Sequence, residues 1–251
     1  MIYFVGAGAG APDLITVRGD RLLREADVVI WAGSLVNPAL LDVCRADCGI
    51  HDSAKMTLEE VIAVMKVAEE KGKSVVRLHT GDSSIYGAIR EQMDELAKLG
   101  IAYEVVPGVS SFCGAAAALK AELTLPGVSQ SVILTRIEGR TPMPEGEDIQ
   151  SFAAHQATMV VFLSAGMLEK LQEQLLAGGY SEDTPAAIVY KATWPDEKVL
   201  RCTVGTLAQT GKENDISLTA LTIVGGVLGD AYDRSLLYHP TFTTLFREAS
   251  E

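Results

Sequence analysis

Ile2-Tyr3-Phe4-Val5-Gly6-Ala7-Gly8-Ala9-Gly10-Ala11-Pro12-Asp13-Leu14-Ile15-Thr16 opens the chain. A short β-prone run feeds directly into a glycine-rich turn, which is how a strand–turn–helix unit of an α/β protein begins. Gly6, Gly8 and Ala11 formally satisfy the G-x-G-x-x-G/A dinucleotide fingerprint. That fingerprint also expects an acidic residue about 20 positions on, to hold a ribose hydroxyl. The next β-run, Val28-Val29-Ile30, ends instead in Trp31-Ala32-Gly33-Ser34, without a carboxylate. Pro12 and Asp13 interrupt what would be the start of a phosphate-binding helix. A nicotinamide dehydrogenase is therefore a minor alternative. Taken alone, the glycines fit a tight structural turn as well as they fit ligand contact.

Working outward, the first half alternates β-runs with helical patterns. Thr57-Leu58-Glu59-Glu60 fits a capping box, with Thr57 as N-cap and Glu60 three residues on. Leu58, Val61, Ile62 and Met65 form the apolar stripe of the helix it opens, and Gly72 supplies the stop. Ser74–His79 reads as a strand, Ile85–Leu99 as a helix closed by Gly100, and Tyr103–Val106 as a further strand. A small-residue helix then runs through Ala118. After the Pro126-Gly127 turn the pattern restarts. Strands are predicted near Val132–Thr135, Met159–Leu163, Ala187–Tyr190, Val199–Val204 and Leu221–Val224, with a helix around Leu168, Leu171 and Leu175 closed by Gly178. The expected organisation is two α/β lobes, residues 1–121 and 122–251, with the tail after Gly229 packed on the second.

The 251 residues, 48% hydrophobic and 22% charged, suffice for a substantial core. No apolar run approaches the ~18 residues needed to span a bilayer. The N-terminal stretch lacks the basic flank of a signal peptide. Four cysteines are too few for a disulfide framework, and Cys44 and Cys48, the only close pair, lack the partners of a zinc spacing. A reducing cytoplasm, no membrane and no bound metal are expected. The formal net charge of −12 argues against nucleic acid as a partner.

Three first-half segments join a β-run to small or polar residues: the opening turn, Leu78-His79-Thr80-Gly81-Asp82-Ser83-Ser84-Ile85-Tyr86-Gly87, and Val105-Val106-Pro107-Gly108-Val109-Ser110-Ser111. Open α/β sheets bind ligands beyond the carboxyl ends of their strands. On sequence alone Asp82 reads best as a helix N-cap, while Ser110 fits a cap and a ligand contact equally well. His79, a lone strand-end histidine, reads as structural. Four second-half segments share the pattern: Leu134-Thr135-Arg136, Val161–Ala165, Val189–Pro195 and Thr219–Gly225. Each alone fits an ordinary strand end.

In this order, across residues 1–240, these segments resemble the tetrapyrrole methylase family. Ala9 and Ala11 stand where the family usually has Pro and Asp in its first turn, and Ser83 where its second has Pro. Longer strings resemble, within that family, the enzymes that methylate C-11 of precorrin-4 or cobalt-precorrin-4 in cobalamin synthesis. These are Trp31–Pro38, Thr80–Gln92, Glu122–Pro126, Leu134–Arg136 through Arg140–Pro142, and Tyr190–Pro195. The resemblance implies an α/β, two-lobed class III methyltransferase fold with an active-site cleft between the lobes, commonly as a homodimer. It also implies S-adenosylmethionine as methyl donor, leaving as S-adenosylhomocysteine, and a tetrapyrrole as acceptor.

By that resemblance the cofactor site comprises Gly81, Asp82, Ile85, Tyr86, Ser110, Ser111, Phe162, Leu163, Ala192, Ala220, Leu221 and Thr222, the main chain at Ala192 facing the adenine. Tyr86 is the nominated catalytic residue, orienting the substrate. The arginine that follows the second motif's last glycine in uroporphyrinogen methylases is replaced by Ala88, so an arginine-based proton role does not carry over; Glu91 matches an acidic position of those relatives. Substrate carboxylates call for cations, and Arg136, Lys191 and Arg140 are the candidates, against a reading of each as a solvated surface charge. A diphthamide- or ribosomal-RNA-methylating relative would share fold and donor, and the acidic charge disfavours the RNA enzyme. A nicotinamide oxidoreductase would bind NAD(P)H, and a tetrapyrrole carrier would need no methyl donor.

Overall fold

The computed structural model describes residues 1–249, which divide into two compact units. One comprises Met1–Ala115 with Lys191–Glu197; the other comprises Ala116–Tyr190 with the chain from Lys198 onward. The chain passes from the first unit to the second at 115/116, and the short segment 191–197 belongs to the first.

In the first unit the order is β1 (Ile2–Gly6), α1 (Val17–Glu25), β2 (Val28–Trp31), β3 (Gly49–Asp52), α2 (Leu58–Glu70), β4 (Val75–His79), α3 (Ile89–Lys98), β5 (Tyr103–Val106) and the start of α4 (Ser111–Leu119). The five strands lie side by side as β3-β2-β4-β1-β5, all parallel. Strand alternation splits the core. Ile2, Phe4, Val28, Ile30 and Val75 pack with Val61, Ile62 and Met65 of α2 and Leu96 of α3. Val5, Val29, Val76 and Leu78 pack with Leu23 of α1 and with Val36 and Leu40 on the other face. Both faces are covered, as a parallel sheet requires. Neighbouring β1 and β4 send their outgoing chains to opposite sides, towards β2 and towards β5. Their carboxyl ends therefore mark a topological switch point, the usual ligand position in an open α/β sheet.

The predicted capping box forms: Thr57 Oγ1 accepts from the Glu60 N–H at 3.3 Å, and Glu60 Oε2 accepts from the Thr57 N–H at 2.8 Å. The helix expected over 85–99 instead begins at Ile89, because Tyr86 and Ala88 adopt left-handed φ values of 54° and 48°. Strand β3 carries no clear sequence pattern, being half-exposed at the sheet edge.

The second unit contains β6 (Val132–Arg136), α5 (Ile149–Ala153), β7 (Thr158–Phe162), α6 (Leu168–Ala177), β8 (Pro185–Tyr190), β9 (Lys198–Thr203), α7 (Leu207–Glu213) and β10 (Ala220–Val224). Its sheet runs β6-β7-β10-β8-β9, with β6 and β7 parallel and every other pair antiparallel. Leu168, Leu171 and Leu175 of α6 pack on Met159, Val161, Ile188 and Val224. Gly178 is the last residue of that helical turn in right-handed geometry, and the left-handed turn beyond it falls to Gly179. Among the described residues no helix is long and apolar enough to cross a membrane.

His79 ends β4, buried, with its ring 6.1 Å from that of Phe4 and with no hydrogen-bond partner for Nε2. Burial, helped by the nearby Arg77 charge, pushes its pKa down to about 3. The unfolded chain takes up this proton near pH 6.5, whereas the folded chain resists until about pH 3. Stability is therefore expected to fall as pH is lowered through this window. Thermal midpoints of the protein and of His79→Gln between pH 7 and 4 check this: the variant should have the shallower pH slope, and equal slopes would place the proton uptake elsewhere.

Candidate active site

Three adjacent strands of the first unit, β4, β1 and β5, release their loops at one edge. Beyond β1 the backbone stays paired with the loop after β4. Ala7 donates to the His79 carbonyl at 2.7 Å, and Gly8 and Gly81 exchange N–H···O bonds at 3.2 and 3.1 Å. Gly6 and Gly108 press together. A methyl group on Gly6 would lie 2.6 Å from Gly108 Cα and 2.6 Å from the Gly81 carbonyl oxygen, so no side chain fits there. The glycines that meet the dinucleotide fingerprint are thus occupied by neighbouring backbone. The chain after them forms a short 3₁₀ turn at Pro12–Leu14, and α1 begins only at Val17. A phosphate-binding strand–helix turn is absent from this position.

Asp82 fastens the same three-loop junction. Its Oδ2 accepts from the Gly108 N–H at 2.8 Å, and its Oδ1 accepts from the Ser84 N–H at 2.9 Å and from the Ser84 hydroxyl. Burial works against the charge, but hydrogen bonds from the Ser84 hydroxyl, Gly108 and the Ser84 N–H outweigh it and hold the carboxyl below its ordinary pKa. The N-cap reading of Asp82 is thereby corrected: no helix starts there, and the carboxylate joins the loop after β4 to the loop after β5. Gly87 tucks against the Ser83 carbonyl, leaving Ile85 half-buried and Tyr86 exposed on a non-helical turn. Ser110 is buried just ahead of α4, and its carbonyl accepts from Cys113 at 3.0 Å; Ser111 opens the helix. Thr80 Oγ1 and Ser83 Oγ, both buried in the loop after β4, have no hydrogen-bond partner.

The segment 191–197 supplies the remaining first-unit candidates. Ala192 is buried, while Lys191 pairs with Asp196 at 2.6 Å and lies 5.3 Å from the Trp194 ring centroid.

The second-unit candidates gather at one end of their own sheet. Arg136 pairs in register with Phe162, Thr222 with Val161, and Ala220 with Tyr190. The carboxyl ends of β6, β7 and β8 therefore adjoin the start of β10. Leu163 projects there, 58% exposed, whereas Phe162, Leu221 and Thr222 are buried. The Arg136 guanidinium donates to the carbonyls of Ile137, Thr141 and Pro142 at 3.4, 3.2 and 2.7 Å. It fastens its own loop through neutral oxygens. Arg140 lies exposed on that loop.

Nine non-glycine residues among those described have positive φ, and Tyr86, Ala88, Leu163, Lys191, Thr193 and Thr219 sit in these strand-end loops. Such conformations cost about 1–3 kcal/mol each and persist only where the surroundings dictate them. Sequence reading singled out the loops but not this strain, because left-handed Leu, Lys or Thr has no compositional signature. It also missed Asn37 and Thr193, whose polar atoms bond to the glycine-rich loop.

Residues 1–208 match the tetrapyrrole (corrin/porphyrin) methylases. The chain is 53% identical over 249 residues to the cobalt-precorrin-4 C(11)-methyltransferase of Methanocaldococcus jannaschii, covering 99% of this chain and 96% of that one. It is 46% identical over 239 residues to the precorrin-4 C(11)-methyltransferase of Mycobacterium tuberculosis, covering 94% and 95%. Among solved structures, a cobalt precorrin-4 methyltransferase superposes with a TM-score of 0.89 at 47% identity, over 91% of this chain and 96% of that chain. The uroporphyrin-III C-methyl transferase of Thermus thermophilus, complexed with S-adenosylhomocysteine, superposes with a TM-score of 0.75 at 28% identity, over 90% and 92%. With its sheet orders, its glycine-built loop junction and these matches along most of its length, the chain belongs to the tetrapyrrole methylase family.

Proposed function

We propose that the chain transfers a methyl group from S-adenosylmethionine to C-11 of precorrin-4 or its cobalt form, a step of cobalamin synthesis. The observation that carries this reading is the junction of three strand-end loops at the β1/β4 switch point, in a chain of this family. The residues there suit the donor. Two buried hydroxyls, on Thr80 and Ser83, lack protein partners, and a bound ligand or an ordered water would satisfy them. Gly81, at φ +61°, brings the loop after β4 against the Ser110–Ser111 backbone. Ser110 and Ser111 add small polar groups at the head of α4.

S-adenosylmethionine supplies an electrophilic methyl on sulfonium sulfur. The chain's own residues bind, align and desolvate. Gly81, Asp82, Ile85, Tyr86, Ser110, Ser111 and Ala192 of the first unit are the proposed cofactor contacts, as are Phe162, Leu163, Ala220, Leu221 and Thr222 of the second. Asp82 acts by fixing the Gly81 and Gly108 backbones rather than by exchanging a proton. Tyr86, exposed on its strained turn, is proposed to orient the acceptor. Arg136, Lys191 and Arg140 are proposed to meet substrate carboxylates. Arg136 suits this best, since its loop orients the guanidinium without neutralising it. Local cations of this kind reconcile an anionic substrate with a chain of net charge −12.

The chain is proposed to act as a homodimer in the cytoplasm, without nucleic acid. The support for self-association is the tail, where Leu236, Leu237, Tyr238, Leu245 and Phe246 are all more than half exposed. The Arg247 guanidinium gathers this segment by donating to the carbonyls of Leu237, His239 and Phe242. Apolar surface presented in such a fixed arrangement marks an interaction site. All four cysteines are free thiols, as a reducing compartment would keep them.

Incubation with S-adenosylmethionine and precorrin-4, with and without cobalt, is expected to yield one added methyl at C-11 by mass and NMR; methylation at another carbon, or none on either form, would refute the assignment. Arg136→Ala is expected to weaken tetrapyrrole binding about tenfold or more, the range of a charged hydrogen bond, with S-adenosylhomocysteine affinity unchanged; equal tetrapyrrole affinity would remove Arg136 from the substrate site. Deleting the chain beyond Gly229 should convert a dimer to a monomer in analytical ultracentrifugation, and a dimer that survives the deletion would move the interface elsewhere.

A further inference from the structure

Gly10 and Ala11, at the far end of the glycine-rich loop, are held by residues distant in sequence. The Gly10 carbonyl accepts from Asn37 Nδ2 at 3.0 Å, while Asn37 Oδ1 accepts from the Ala39 N–H at 3.1 Å, so the buried amide is fixed at both ends. The Ala11 N–H donates to Thr193 Oγ1 at 2.9 Å. Gly10 has φ +145°, and a methyl group there would lie 2.5 Å from Trp194 Nε1 and 2.6 Å from the Ala192 carbonyl oxygen. Ala9 is packed equally closely: a methyl group on Gly114 would lie 2.7 Å from Ala9 Cβ and 3.2 Å from Thr193 Cγ2. The glycine-rich loop and the segment 191–197 therefore fit each other with no spare volume, and Ala192 sits in the middle of the contact.

Thr193 holds a conformation it would not adopt unaided. Its φ is +68°, in the left-handed region that β-branched side chains avoid. Its N–H donates to Glu197 Oε2 at 2.6 Å, and its hydroxyl takes the Ala11 N–H. Two polar contacts and one packing contact thus oppose the local backbone preference. Strain sustained in this way sets the peptide at Ala192, whose side chain is buried and whose main chain lies beside Gly10.

We infer that Thr193 and Asn37 are positioning residues for the methyl donor: by clamping Gly10–Ala11 they fix the main chain at Ala192 before the adenine arrives. The inference rests on the proposed placement of the adenine against Ala192. A main chain set in advance spares the ordering cost that binding would otherwise carry, so the clamp acts on donor affinity rather than on the chemical step.

The test is titration of S-adenosylhomocysteine into the intact protein, Thr193→Ala, Thr193→Ser and Asn37→Asp, with KM for S-adenosylmethionine and kcat measured alongside. Thr193→Ala is expected to weaken S-adenosylhomocysteine about 3- to 10-fold, the range for one neutral hydrogen bond, raising KM for the donor by the same factor and leaving kcat at saturation unchanged. Thr193→Ser keeps the hydroxyl and should restore affinity to within about twofold, as an intact hydrogen bond implies. Asn37→Asp keeps the acceptor for Ala39 but loses the hydrogen bond to the Gly10 carbonyl, so it should weaken S-adenosylhomocysteine while leaving both Thr193 hydrogen bonds in place, and it carries the test if Thr193→Ala fails to fold. Unchanged S-adenosylhomocysteine affinity in the folded variants, or Thr193→Ser weakening it as much as Thr193→Ala, would overturn the inference. If the unmodified protein does not bind S-adenosylhomocysteine, the cofactor reading itself fails, an outcome distinct from the other two.

Discussion

Gly6, Gly81 and Gly108 bring three backbones to separations that exclude even a methyl group, and the Asp82 carboxylate closes the junction by accepting the Gly108 N–H. Much of the first unit's loop arrangement follows from that contact. Three parallel strands end together because their registers align Gly6 with His79 and Val5 with Val106. Their loops can then interlock only if the meeting residues carry no side chains. The outcome is a rigid platform of main-chain groups with small polar side chains beside it, at the point where the sheet's connections diverge. A platform of this kind presents peptide groups rather than long side chains, so few of its residues look catalytic.

The parts of the fold legible in the sequence are those where local chemistry and tertiary packing agree. The Thr57/Glu60 capping box, the apolar stripe of α2 and the apolar strands of both sheets all carry their reason in neighbouring residues. Legibility fails where distant contacts override local preference. Ile85–Ala88 has helical composition, yet left-handed turns at Tyr86 and Ala88 delay the helix to Ile89. Asp82 has the residue type and position of a cap, yet it spends its carboxylate across 26 residues on Gly108. Thr193, in a loop between two antiparallel strands of the second unit, bonds to the opening turn of the chain across 182 residues. No window of sequence contains such pairs. The bonds that join the first unit's strand-end loops into one junction are all long-range.

Charge follows the same division between global and local. The chain is acidic overall, but its exposed ion pairs, such as Arg24–Asp20 and Arg90–Asp94, are helix-surface contacts of small energetic weight. The informative cations are those oriented by neutral oxygens. Arg136 is bound by three carbonyls of its own loop, and buried Arg77 by Gln92 Oε1 and the carbonyls of Ile30 and Leu78. Arg77 is enclosed in the sheet, and the loss of solvation lowers its pKa to about 10. Arg136 is only partly buried, at the sheet end where the candidate residues of the second unit collect. One arginine braces a sheet; the other braces a strand-end loop.

The most direct measurement is a crystal structure of the protein grown with S-adenosylhomocysteine. The ligand should lie against the main chain of Gly81, Asp82 and Ala192, with the Asp82–Gly108 bond intact. Electron density for the ligand away from the β1/β4 strand ends, or a Gly6–Gly81–Gly108 junction that opens to admit it, would contradict the account.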